Sequence, residues 1–359
     1  MRPMKKSLIN NMIEMIEKDI SCFSNQIDFS KLAHKKILLT GASGLLGIYF
    51  LASLRHIYIK LKIPLTVYTV IHSSPHPLFN TLSKEHFITV IKGDIADYDF
   101  IKSLPMTDVI IHAAGYGQPD KFCTDPIKTY ELNTVGTLGL LKKLSLHGKF
   151  LFTSSAEVYT GLSTVPFNEN KIGTTNTNHP RSCYIEGKRG GEAICHAYRN
   201  MGIEAKSARI SLIFGPGTKE GDYRVLNMLI EKGIKYGHIQ LIDHGEATRS
   251  FLYVADAVVM LWNILLEGKE AIYNVGGKYQ LSIFNLAEEI GRELQVSVKK
   301  GNQLMGQSGA PELVQLDMSL YQKEFRSLLT TPFDIGLSRT IDWQKKLYLL
   351  QQCSANDSL

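Results

Sequence analysis

Tyr184-Ile-Glu-Gly-Lys188 sets a phenol and an amine four residues apart. On a helix the two share one face. An ammonium beside a phenol favours phenolate and lowers its pKa toward the working pH, as a general base requires. Ser155 ends the apolar run Phe150-Leu-Phe-Thr-Ser-Ser155, and its hydroxyl can hydrogen-bond the same substrate oxygen. Together the three groups can draw a proton from a carbinol while a hydride acceptor takes the hydrogen on carbon. A Tyr-x-x-x-Lys pair alone is common on solvated helix faces, so the surroundings decide. Glu157 follows Ser155 closely and reads equally well as a catalytic carboxylate or a structural partner at the strand end. Cys183 adjoins Tyr184, but no histidine base is recognisable for a thiol nucleophile.

The hydride acceptor is implied by Ile37-Leu-Leu-Thr-Gly-Ala-Ser-Gly-Leu-Leu-Gly47. An apolar strand runs into Gly41, Gly44 and Gly47, and an apolar-periodic segment from Ile48 through Leu61 follows. The first glycine permits the turn, the second lets backbone approach a pyrophosphate, and the third lets helix pack on strand. Ser43, Leu45 and Leu46 lie within the same loop, where free N–H groups and the helix dipole favour phosphates.

Strand and helix patterns alternate after that loop. Leu65–Ile71, Phe87–Ile91, Asp108–His112 and Phe150–Ser155 read as strands, and a helix is expected from about Thr129 to Leu146. This rhythm predicts βαβ units, a parallel sheet and right-handed crossovers. Ligands of such sheets bind beyond the carboxyl ends of the strands. The Gly41 loop, Asp94, Ala113 and Ser155 all fall there. The second strand ends in His72-Ser73-Ser74-Pro75-His76, with neither the acid that would bond a ribose 2′-hydroxyl nor an arginine, so NAD and NADP both stay open at this point. Beyond Phe214-Gly-Pro-Gly217 the rhythm becomes irregular, which suits a smaller lobe with helices near 225–235, 255–267 and 283–294. Leu8, Met12, Ile16 and Ile20 recur at helical spacing, so the N-terminus is expected to be an amphipathic helix docked on the domain or on a second subunit. Residues 353–359 read as a frayed tail.

The chain's 359 residues are 44% hydrophobic and 21% charged, enough for a sizeable core in roughly two domains. A net charge of +6 without a basic run or interleaved aromatics argues against nucleic acid. Five scattered cysteines show no zinc spacing and suggest reduced thiols in a cytoplasmic protein, and no metal site is expected. No stretch of 18 apolar residues marks a membrane span, and the N-terminus lacks the apolar core of a signal peptide.

In order and spacing, the motifs resemble those of the extended short-chain dehydrogenase/reductases, in the nucleotide-sugar epimerase/dehydratase branch. They are Thr40-Gly-Ala-Ser-Gly-Leu-Leu-Gly47, Gly93-Asp94-Ile95, His112-Ala-Ala114, Asn133-Thr-Val-Gly-Thr137, Ser154-Ser-Ala-Glu-Val-Tyr159, Tyr184 to Lys188, Phe214-Gly-Pro216, Arg249-Ser-Phe-Leu-Tyr-Val-Ala-Asp256 and Tyr273-Asn-Val-Gly276. The resemblance covers about residues 36 to 343. It implies an α/β fold: a Rossmann doubly wound parallel sheet over 36–208 that carries NAD, with NADP not excluded, and a smaller α+β substrate lobe over 209–350. The N-terminal extension (1–35) and tail (351–359) lie outside these. It further implies Tyr184 as general base, Lys188 as support for it and the nicotinamide ribose, and Ser155 at the 4-hydroxyl. The same resemblance sets Asp94 and Ile95 near adenine, Ala113, Ala114 and Asn133 at the cofactor, and Arg249, with Arg224 and Tyr253, at a nucleotide-sugar. Homodimerisation through the helix after Asn133 and the helix carrying Tyr184 is the family habit.

Within the branch, Pro180-Arg-Ser-Cys-Tyr-Ile-Glu-Gly-Lys-Arg189 and Asp125-Pro-Ile-Lys-Thr129 are similar to UDP-glucuronate decarboxylases. Ala156 stands where 4,6-dehydratases carry a proton-donating aspartate, which disfavours that reaction. Leu212 and Gly217 replace an asparagine and an arginine usual in decarboxylases. A 4-epimerase or 4-ketoreductase would use the same Ser/Tyr/Lys set. A reading of another class, a non-catalytic dinucleotide sensor, is opposed by the intact set.

Overall fold

The computed structural model describes residues 2–72, 75, 77–302, 309, 311, 313–326 and 330–355. Ser73, Ser74 and His76, from the segment after the second strand, and residues 356–359 lie outside these. The apolar runs assemble as β1 (Lys36–Thr40), β2 (Thr66–Ile71), β3 (Ile88–Lys92), β4 (Thr107–His112), β5 (Leu144–Ser155) and β6 (Glu204–Ile210). The chain then leaves the sheet for β7 (Leu212–Phe214), β8 (His238–Gln240) and β9 (Thr248–Tyr253), returns as β10 (Ile272–Val275), and adds β11 (Tyr279–Ser282) and β12 (Ser297–Lys299) to the lobe. The main sheet has the order β10-β6-β5-β4-β1-β2-β3, and its strands pair in parallel. Ile37, Leu38 and Leu39 are all fully buried because helices cover both faces, which is why the strand reads as an unbroken apolar run.

The helices are α1 (Arg2–Phe23), α2 (Leu45–Ile59), α3 (Pro77–Leu82), α4 (Tyr98–Ser103), α5 (Pro119–Thr124), α6 (Pro126–Asn133), α7 (Val135–Leu141) and α8 (Ser182–Asn200), then α9 (Val225–Tyr236), α10 (Val254–Glu267), α11 (Ile283–Leu294), α12 (Ser319–Phe325) and α13 (Phe333–Ala355). α1 docks on α2 and α13 through Met12, Ile16 and Ile20, all buried, as the helical spacing predicted. Trp262 of α10 is wholly buried between Phe29 and Phe50, at ring-centroid distances of 5.4 and 5.1 Å.

Three expectations need correction. The helix expected over 129–146 is two helices that break at Thr134, and β5 begins at Leu144. The Thr137 hydroxyl takes the Asn133 carbonyl and the Thr134 hydroxyl takes that of Tyr130, side-chain bonds of the kind that bend helices. The start of β5 is irregular, with a register shift against β4 between Leu144 and Lys149 and His147 at φ 63°, and Leu144 is buried whereas Leu146 is 81% exposed. At the other end, α13 carries buried Cys353 and continues to Ala355, so residues 353–355 are helical.

Candidate active site

The site lies where the strand order reverses, between β1 and β4. The register places Thr40 beside His112. Gly41 follows with φ +69°, and a Cβ there would meet the Ala113 carbonyl oxygen at 2.5 Å. A Cβ at Gly47 would strike the Gly41 oxygen at 2.0 Å. Only glycine fits either position. Gly44 caps α2 without a side-chain acceptor, which leaves the first-turn N–H groups, those of Leu45 and Leu46 among them, available to an anion. His112 is buried and held neutral, its pKa driven down to about 3 by burial and by the neighbouring Lys188. It bridges Thr40 and the Leu132 carbonyl at 2.9 and 3.2 Å, and the Ala114 N–H donates to Thr40 Oγ1 at 3.2 Å. This chain of bonds fixes the end of β4 against the glycine loop.

α8 presents Tyr184 and Lys188 one turn apart, both buried. Its Gly187 and Gly191 let it approach α6 closely: a Cβ at Gly191 would reach the Asn133 carbonyl at 2.8 Å. That approach brings Asn133 and Lys188 together. A Cβ built at Gly115 would lie 3.6 Å from Asn133 Oδ1 and 3.7 Å from Lys188 Nζ. Asn133 Nδ2 donates to the Thr129 carbonyl at 2.7 Å, while buried Oδ1 lacks a partner. A buried acceptor without a donor is costly. Its place by Gly115, just beyond β4, and near Lys188 fits a dinucleotide ribose hydroxyl.

Ser155 lies near enough to Tyr184 to pull its pKa down, and Ser155 Oγ accepts from the Glu157 N–H at 3.2 Å. The Tyr184 ring stacks on Phe122, with centroids 4.3 Å apart. Lys188 Nζ donates to the Thr153 carbonyl at 2.7 Å and lies 5.7 Å from the Tyr184 ring centroid. Burial pushes the Tyr184 pKa up to about 12, against a smaller downward pull from Ser155, and burial lowers Lys188 to about 7. The expected lowering of the phenol pKa by its neighbouring ammonium is therefore corrected: burial raises it, and the downward pulls come from Ser155, Arg181 and Arg224 rather than from Lys188.

The remaining predicted residues divide. Glu157 is engaged by Arg181, whose Nε donates to Oε2 at 3.0 Å and whose Nη2 bonds Oε1. Arg181 also lies over the Phe122 ring. The mostly buried Arg249 is within electrostatic reach of both Glu157 and Arg181. Arg224 pairs with buried Asp222 and still influences Tyr184. Asp94, at the end of β3, is paired with Lys128 of α6, and Ile95 is buried beneath Gly136. Tyr253 is not brought to this group: its buried hydroxyl donates to Asp19 of α1 at 2.8 Å. The sequence reading missed Phe122, Arg181 and the Thr153 carbonyl as site-builders. Only Arg181, directly before the Tyr184 helix, offered a signal.

The profile of the NAD dependent epimerase/dehydratase family matches residues 37–276. The chain belongs to this family. Among its relatives, UDP-glucuronic acid decarboxylase 1 of Xenopus tropicalis is 30% identical over 88% of this chain and 74% of its own length. The Danio rerio protein of the same description is 32% identical over 73% of this chain and 61% of its own. Among solved structures, a UDP-glucuronic acid 4-epimerase from Bacillus cereus, in complex with UDP-glucuronic acid and NAD, superposes with a TM-score of 0.73 at 25% identity, covering 87% of this chain and all of that one. The family's cofactor is NAD, and the glycine cradle and the orphaned Asn133 acceptor fit it.

Proposed function

We propose that the chain oxidises a UDP-glucuronate-type nucleotide sugar transiently at C4 and releases the C6 carboxylate as CO₂. The observation that carries this is the gathering of Ser155, Tyr184 and Lys188 at one site, with Arg181 and Arg249 close by and Ala156 supplying no proton donor. When bound, NAD supplies the hydride-accepting ring. Ser155 and Tyr184 bracket the 4-hydroxyl, and Tyr184 receives its proton when it acts as the phenolate, the form that burial disfavours in this structure. Lys188, anchored on Thr153, orients the ribose beside Asn133. The ketone at C4 makes the C6 carboxylate a β-keto acid; loss of CO₂ leaves an enolate that takes a proton from solvent at C5, and the hydride and the Tyr184 proton then return to C4, so no acid at position 156 is required. Glu157, held by Arg181, positions that guanidinium and Arg249 toward the anionic substrate. Tyr253 has no part in this, because Asp19 occupies its hydroxyl.

Incubation with NAD and UDP-glucuronate, followed by mass spectrometry, tests the reading. Loss of CO₂ is expected, and Tyr184→Phe should slow it by roughly 10²–10⁴-fold. Unchanged turnover by that variant would sink the base role. A mass-neutral product would instead support a 4-epimerase, the reading favoured by the likeness to the Bacillus cereus enzyme. We further place the cofactor on the β1–β6 body and the sugar in the lobe of 209–350. Five free cysteines support a reducing compartment such as the cytoplasm. Exposed apolar residues on α6 and α7 support a homodimer.

A further inference from the structure

The lobe reaches back over the cofactor loop at one point. The segment after β7 passes through Gly215, Gly217 and Thr218, and Gly217, with φ +99°, lies so close to α2 that a Cβ would meet Leu45 Cδ1 at 3.1 Å. α13 holds this segment from behind: buried Trp343 Nε1 donates to the Thr218 carbonyl at 3.0 Å, and Gln344 Nε2 donates to Thr218 Oγ1 at 3.1 Å. The next residue is Lys219. Its ammonium lies 3.1 Å from Ser43 Oγ, at the tip of the glycine loop. Lys219 is half-buried, and among the described residues no carboxylate lies within ion-pair reach of it. Burial lowers its pKa, and repulsion from Lys121 of α5 adds to that. A half-buried ammonium thus sits at a loop whose free N–H groups already favour an anion, with a second lysine near enough to repel it, an arrangement that an anion at the loop would relieve.

We infer that Lys219 is a cofactor-binding residue, supplied by the substrate lobe to the pyrophosphate of NAD. The inference rests on the cofactor placement given above and is independent of which sugar is processed. The anchored peptide at Thr218 fixes the stem, so the ammonium reaches Ser43 at little further cost in ordering.

Isothermal titration of the full-length protein with NAD, and separately with UDP, tests this for wild type, Lys219→Ala and Lys219→Arg. The expected result is a Kd for NAD raised about tenfold or more in Lys219→Ala, with weaker salt dependence, and recovery in Lys219→Arg. UDP affinity and thermal midpoint should stay at wild-type values. Equal NAD affinity in wild type and Lys219→Ala overturns the assignment. So does a loss confined to UDP, which would put the ammonium at the substrate diphosphate, or an equal loss in Lys219→Arg, which would mark a packing defect. Failure of wild type itself to bind NAD would remove the cofactor placement along with it.

Discussion

Lys188 is buried with its amine on a backbone carbonyl, and burial holds its pKa at about 7, well below the 10.5 of an exposed lysine. Between those values the unfolded chain binds a proton that the native protein does not. Stability therefore rises with pH from about 7 to 10.5, with a slope from this group of at most about 1.4 kcal/mol per unit, and the destabilisation is complete below pH 7. Lys188→Met keeps the volume and removes the titration. Urea midpoints of both proteins from pH 6.5 to 10 should show wild type gaining on the variant as pH rises. A pH-independent difference would contradict a buried, neutralised amine. The same residue shows what a sequence can carry at this scale. Ser155, Tyr184, Lys188 and the glycines were legible because spacing and strand position place them. Phe122, Arg181 and the Thr153 carbonyl were not, because they join the site through packing of distant segments. The sign of the Tyr184 shift was also hidden, since spacing reports the nearby amine but not the loss of water around both groups.

At the level of elements, α1 was legible as an amphipathic helix, but the charge buried in its apolar face was not. Asp19 is 4% exposed and accepts from Tyr49 of α2 at 2.7 Å and from Tyr253 at 2.8 Å, and it pairs with Arg339 of α13 at 2.5 Å. One carboxylate thus ties the N-terminal helix to the cofactor helix and to both ends of the lobe. This accounts for the misplacement of Tyr253: its motif position suggests a cleft, whereas a partner 234 residues away claims its hydroxyl. Asp19→Ala would strand two buried phenols and a partly buried guanidinium, at a cost of about 3 kcal/mol. Glu14→Ala, on the exposed side of the same helix, should stay within about 0.5 kcal/mol of wild type. Denaturant melts of the two variants check this, and similar midpoints would show that the Asp19 cluster contributes little. The broken helix at Thr134 has a related lesson. Apolar spacing alone cannot separate α7 from the first residues of β5, because Leu140, Leu141 and Leu144 keep a helical period across the boundary.

For the molecule as a whole, a parallel sheet with its site at the carboxyl ends of the strands followed from the strand–helix rhythm, whereas the strand order and the switch between β1 and β4 are seen only in the fold. Assembly does not follow from that rhythm and must be argued from the surface. Ile127, Tyr130 and Leu138 of α6 and α7 are 68, 43 and 38% exposed, beside the contact that α6 makes with α8. Apolar groups clustered on paired helices favour a helical interface with a second copy. Such an interface would brace α8, and with it Tyr184 and Lys188, from the side opposite the sheet. Native mass spectrometry at micromolar protein should then give twice the 40.2 kDa of the chain. Ile127→Glu combined with Leu138→Glu should return the single-chain mass while circular dichroism stays unchanged, because neither side chain is part of the core. A wild-type protein that runs as a single chain would overturn the dimer. A charged pair that leaves the dimer intact would move the interface to another face. If the monomeric variant binds NAD normally yet turns over slowly, the bracing of α8 acts on the proton-transfer groups rather than on the cofactor cradle.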